Sequence, residues 1–274
     1  MVIPFFVADR PVSLRILKCS GIEKYNAKMG IMAHANTSKN FQYLFNIYPC
    51  SDECEISSEC EFPYRICDKG LEIKNRTIKM CDSGVWTKNG CMLSYYELFE
   101  RYNNMGVNYG VIIDVLKDKE KTLESAKEAI MQYEKNKYNF KLVGVAQGVT
   151  LEDYLECYEV LMDLGYNYIA VGGLLKKNEN TVRYVRVRDK GFMLKVLSSI
   201  REKYPSDWLF ALGCYHPKRH DDFKKMKLFG SDYKGWIFNY TKNNSLDKKQ
   251  AQMHRFKQIR TYLNEKVYGV IDDE

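Results

Sequence analysis

Apolar residues along this chain recur with two different periods, and the alternation between them sets the expected architecture. The run 142–148 (Leu142-Val143-Gly144-Val145-Ala146-Gln147-Gly148) is apolar until it meets a polar side chain and a glycine. The run 168–174 does the same, ending in Gly172-Gly173-Leu174. Between them, 151–164 repeats its apolar residues at helical spacing, with Thr150 and Asp153 placed as a capping box. Strand, helix and strand in that order make the two strands parallel. Parallel strands of this kind display chemistry beyond their carboxyl ends, which singles out Gln147 and the two glycines.

The same reading extends over the rest of the chain. Further strands are expected at 2–8, 29–33, 77–81, 110–113, 208–212 and 231–238. Helices are expected at 38–48, 94–105, 123–133, 190–203, 221–228 and 246–263, and 176–188 reads as a basic loop. Eight strands alternating with helices favour a closed TIM-type (β/α)8 barrel, an α/β fold, over an open sheet. Residues 1–274 are then one domain, with a Cys-containing insertion at 49–70 between the second and third strands. Asp82, Asp114, Gln147, Gly173, Gly213 and Asp232 fall on one rim of that barrel.

Composition narrows the classes. The 274 residues are 45% hydrophobic and 28% charged, which is ordinary for a soluble globular protein. No run approaches the ~20 apolar residues of a membrane span, and the opening 1–6 lacks the basic start of an export signal, so a cytoplasmic location is expected. Net charge is +7, with basic residues dense over 218–257, which favours a polyanionic partner. Lys218, Arg219, Lys224 and Lys225 are the candidate phosphate contacts, against the plain alternative of a solvated helix face. Nine cysteines are expected to be mostly reduced thiols. Cys50, Cys54, Cys60 and Cys67 have gaps of three, five and six residues and could ring a zinc ion, but they lack paired Cys-x-x-Cys knuckles, and free thiols are the competing reading.

Two carboxylates, an amide and bare glycine backbone suit a flat polar ligand with donors and acceptors. A carboxylate can accept the ring N–H and amino group of a guanine-like base side by side, while an amide and a glycine N–H can donate to its carbonyl. His216, beside Pro217, has a structural reading at least as good as an acid–base one.

Over about 78–236 the motifs resemble the tRNA-guanine transglycosylases and their DNA-acting relatives of the DpdA type. The resemblance is carried by Asp82-Ser83-Gly84, Asp114, Gln147-Gly148, Gly172-Gly173-Leu174 and Gly213, in order and spacing. It implies exchange of guanine for a 7-deazaguanine such as preQ0 in nucleic acid, through an aspartate-linked glycosyl intermediate that preserves the sugar's configuration. It implies that Asp114 reads the amino edge of the base, Gln147 and Gly173 its carbonyl, that Leu174 lines the site, and that Asp82 handles the proton beside the sugar.

The sequence departs from the family at the nucleophile. After Gly230-Ser231-Asp232 the family's attacking aspartate comes three positions later, where this chain has Gly235. Asp232 is one replacement, Asp82 is another, and loss of catalysis is the third. The family's zinc cluster after the last strand is also missing, with only His254 there, and no RNA-binding domain follows, which shifts the expected substrate from tRNA to DNA. Two other classes stay open: a non-catalytic subunit that binds the base or nucleic acid and relies on a partner protein or a second copy, and a metal or redox protein built around the cysteine loop.

Overall fold

A computed structural model describes residues 2–18, 28–48, 77–85, 91–177, 184–187, 190–238, 245 and 247–272. The expected barrel is there. Strands β1 (Ile3–Val7), β2 (Met29–His34), β3 (Thr77–Asp82), β4 (Tyr109–Val111), β5 (Lys141–Ala146), β6 (Tyr168–Val171), β9 (Trp208–Ala211) and β10 (Gly230–Tyr233) close on themselves, every neighbouring pair parallel. The helices are α1 (Pro11–Lys18), α2 (Lys39–Ile47), α3 (Tyr95–Asn104), α4 (Lys119–Glu134), α5 (Leu151–Asp163), α6 (Lys190–Lys203), a short α7 (His220–Lys225), α8 (Lys248–Tyr262) and α9 (Gly269–Asp272).

Three segments differ from the sequence reading. The basic loop contains a two-stranded antiparallel hairpin, β7 (Leu175–Lys177) with β8 (Tyr184–Val187), standing on the rim after β6. The last strand stops at Tyr233, and Gly235–Phe238 turns into a 3-10 helix whose Trp236 donates to the Val7 carbonyl at 3.1 Å. Helix α1 is absent from the helices expected above, although Pro11 at its first position is a usual start. The 49–70 insertion lies outside the described residues.

Register shows which side chains face the barrel axis. Parallel partners share a face and alternate residues return to it. Phe5 pairs with Gly30 and with Asp232, Gly30 with Ile78, Met80 with Tyr109, Tyr109 with Lys141, Val145 with Ala170, and Ala170 with Phe210. Phe5 and Phe210 meet edge to face at 5.1 Å, so this set is the inward one. Stepping by two along each strand puts Asp9, His34, Asp82, Gln147 and Asp232 at the carboxyl end of that same inward set.

The opposite mouth is plugged. Tyr109 stacks on Trp208 at 5.1 Å, Trp208 lies 4.8 Å from Phe229, and Tyr168 meets both Tyr109 and Trp208. Lys141 sits over the Tyr109 and Tyr168 rings at 5.3 and 5.0 Å. Gly30 exists to admit Phe5: a Cβ there would fall 2.2 Å from the ring. With aromatics filling the amino-terminal mouth, polar chemistry is confined to the other one.

A candidate active site at the carboxyl-terminal rim

Each acidic group on the rim is fixed by its own local structure. After β3 the chain turns through Gly84 at φ +86°, and the Gly84 N–H and Ser83 hydroxyl both donate to Oδ1 of Asp82 at 3.3 Å. Burial still pushes the Asp82 carboxyl above its usual range, against the lowering pull of those donors and of His34. Asp114 is held through its neighbours. The Ile113 N–H donates to Tyr95 of α3 at 3.0 Å, Ser125 of α4 donates to the Ile113 carbonyl at 2.6 Å, and Thr122 of α4 brackets Val115.

Asp114 is only 4% exposed, and Nε2 of Gln147 donates to its Oδ2 at 2.5 Å. Burial and then the nearby Asp82 charge push its pKa up to about 7. The Gln147 carbonyl oxygen in turn accepts the Lys117 N–H at 3.1 Å, with Lys117 in the left-handed region at φ 60°. Gly172 and Gly173 make the space for this amide. A Cβ on Gly172 would meet Nε2 at 2.5 Å and one on Gly173, already at φ +70°, would meet Oε1 at 2.3 Å. Tyr154 of α5 donates to the Gly172 carbonyl at 3.0 Å and locks that turn.

On the far side of the mouth Asp232 is 8% exposed and accepts the Gly213 N–H, Gly213 being at φ +71°. Burial raises its pKa to about 7 despite that bond, and the Asp82 charge adds to the rise. Three carboxyls, Asp82, Asp114 and Asp232, thus share one mouth, and the Asp82 charge acts on both of the others. The expected convergence of Asp82, Asp114 and Gln147 is present, and no apolar side chain separates Asp114 from Gln147.

Other expected site residues fall differently. Leu174 is packed in the apolar core at 1% exposure. Lys218 is exposed on the turn just after β9, beside the mouth. Lys224 and Lys225 are exposed in the last turn of α7, from which the chain runs back to the start of β10 at the plugged end. Arg219 is half-buried and donates to the Cys214 carbonyl at 2.6 Å, so part of its guanidinium is already used. His216 accepts the Lys218 N–H on Nδ1 at 3.2 Å, the structural role. Cys50, Cys54, Cys60 and Cys67 lie outside the described residues, and among the described residues no group of three or more His, Cys, Asp or Glu could hold a metal.

The sequence reading passed over His34, Asp9 and Lys234. His34 closes β2 directly beside Asp82 in register, and Asp9 is bound by Lys234 at 2.6 Å.

No family model and no curated protein matches this chain.

Among the described residues no helix is long and apolar enough to cross a membrane. What the rim can do chemically follows from its carboxyls. Burial raises all three above the ordinary carboxylate range, so the rim is suited to holding a protonated acid beside an ionised one, the pairing that general acid and nucleophilic or base chemistry share.

Proposed function

We propose that this chain is a guanine transglycosylase that exchanges guanine for a 7-deazaguanine in nucleic acid, with DNA as the polymer. The observation that carries the reading is the sharing of one barrel mouth by Asp82, Asp114 and Asp232, opposite an aromatic plug. In this reading Asp114, steadied by Gln147, accepts the N–H groups on the amino edge of the base. Asp232, with one oxygen held by Gly213, attacks the anomeric carbon with the other, and Asp82 gives its proton to the departing purine. The incoming base then displaces the aspartate from the opposite face, so two inversions restore the sugar's configuration. The basic excess of +7 and the exposed Lys218 at the mouth suit a phosphate backbone.

One observation favours a second reading, a base-binding subunit without its own nucleophile. At the position where the resembling family carries its attacking aspartate this chain has Gly235, and a Cβ there would lie 2.7 Å from the Tyr233 ring, so a carboxylate would require that ring to move. The test is release of labelled guanine from DNA or tRNA on addition of preQ0. Release that stops in Asp232→Asn supports the enzyme; no release from any polymer, with retained binding of the free base, supports the subunit.

A further inference from the structure

His34 and Asp82 are the last residues of neighbouring strands, paired in register and on the inward face at the open mouth. His34 is only partly exposed, and its Nδ1 is buried with no hydrogen-bond partner among the described residues. A buried imidazole nitrogen without a partner costs free energy unless something outside the chain, or a change of protonation, makes use of it. The charged groups that face this ring are Asp82 from β3, Asp9 from the end of β1 and Lys234 from the turn after β10. Asp9 and Lys234 are already bound to each other at 2.6 Å, which largely cancels their pull on the ring. That leaves Asp82 as the group whose charge the imidazole answers.

We infer that His34 is a positioning residue of the rim, whose gain and loss of a proton sets whether Asp82 is charged. The inference rests on the transglycosylase reading for its purpose and on the register and the buried nitrogen for its existence. When Asp82 gives its proton to the departing base it becomes a carboxylate close to two other acids. A proton taken up from solvent by the partly exposed His34 ring at that moment makes an imidazolium beside the new charge, and it returns to solvent once the incoming base, passing its own ring proton to Asp82, restores the acid. No proton is gained or lost over the cycle. Burial holds His34 below the usual histidine range, so at neutral pH it starts neutral and ready to accept.

Two measurements separate this from the function it serves. The chain has four histidines, so proton NMR of the imidazoles, with His34→Gln to assign one, follows His34 directly. Its titration midpoint is expected to fall in Asp82→Asn, by on the order of half a pH unit. It is expected to rise in Lys234→Gln, which removes a positive neighbour and frees Asp9. No movement in Asp82→Asn, or movement of either variant in the opposite sense, overturns the inference whether or not the chain transfers bases. In the exchange assay His34→Gln is expected to lower kcat by on the order of tenfold with little change in KM for the base, and to move the Asp82 limb of the pH profile upward, because the imidazolium no longer favours the carboxylate. An unchanged profile overturns it. A wild-type chain without exchange activity sinks the function alone and leaves the NMR result to decide the pair.

Discussion

Nε2 of Gln147 donates to Oδ2 of Asp114 at 2.5 Å, linking the ends of two adjacent barrel strands across a buried acid. The amide's other end is held by the Lys117 N–H, and Gly172 and Gly173 leave it the only space it has. Gln147 therefore serves Asp114 before it serves any ligand, which is a different role from free recognition of a base carbonyl. Replacing it with the similarly sized Gln147→Met leaves Asp114 buried without that donor. Stability in urea at pH 8 is expected to fall by about 1–3 kcal/mol. An unchanged midpoint means that Asp114 has found another donor.

The two glycines make a sharper prediction. Gly173→Ala forces a side chain into φ +70° and against Gln147, while Tyr154 holds the turn from behind. A loss of roughly 1–3 kcal/mol is expected in thermal or urea unfolding. Base binding should weaken with it, because the amide that steadies Asp114 is displaced. If Gly173→Ala binds a 7-deazaguanine as tightly as the parent chain, the packing of Gln147 against this turn is irrelevant to the site.

Stability should depend on pH in a defined direction. Asp114 and Asp232 have folded pKa values of about 7, above the roughly 3.9 of an unfolded aspartate. Between those values the folded chain holds more protons than the unfolded one. Their contribution is therefore fullest below about pH 4 and is lost as pH rises through about 7. From pH 5 to pH 8 the parent chain should lose on the order of 2 kcal/mol more stability than Asp114→Asn. Equal slopes in paired urea titrations would show that Asp114 is not held protonated.

Ligand binding should run the other way. Asp114 accepts N–H groups from the base only as a carboxylate, so binding of a free 7-deazaguanine should tighten as pH rises from 6 to 8, by on the order of tenfold. Asp114→Asn should bind weakly at both. Calorimetric titration at the two pH values checks this, and tighter binding at pH 6 contradicts the role given to Asp114.

The barrel was legible because its strands are short apolar runs closed by turn residues, and because Thr150 with Asp153 marks a helix start that the structure reproduces as a reciprocal cap. Asp82, Asp114, Gln147 and Asp232 were legible as polar residues at the ends of such runs. His34 also ends a run, but its meaning depends on which face the strand turns inward, and that is set by pairing with β1 and β3 rather than by anything local. Asp9 follows the first barrel strand and Lys234 the last, and they meet only because the barrel closes. The β7–β8 hairpin was hidden because its alternation is confined to Val185-Arg186-Val187, inside a stretch whose lysines and arginines read as a basic loop. The turn into a 3-10 helix at Gly235 was hidden because Trp236 and Ile237 read as strand continuation, whereas both are buried by packing after the strand has ended.

The measurement that bears most directly on the central proposal is the mass of the intact protein, quenched in acid during incubation with a guanine-containing DNA strand and no incoming base. The expected result is a species heavier by the strand less one guanine, mapped to the peptide carrying Asp232, with one free guanine per adduct and none in Asp232→Asn. Absence of any adduct with single-stranded DNA, duplex DNA or tRNA, or an adduct that persists in both Asp232→Asn and Asp82→Asn, contradicts covalent base exchange at this rim.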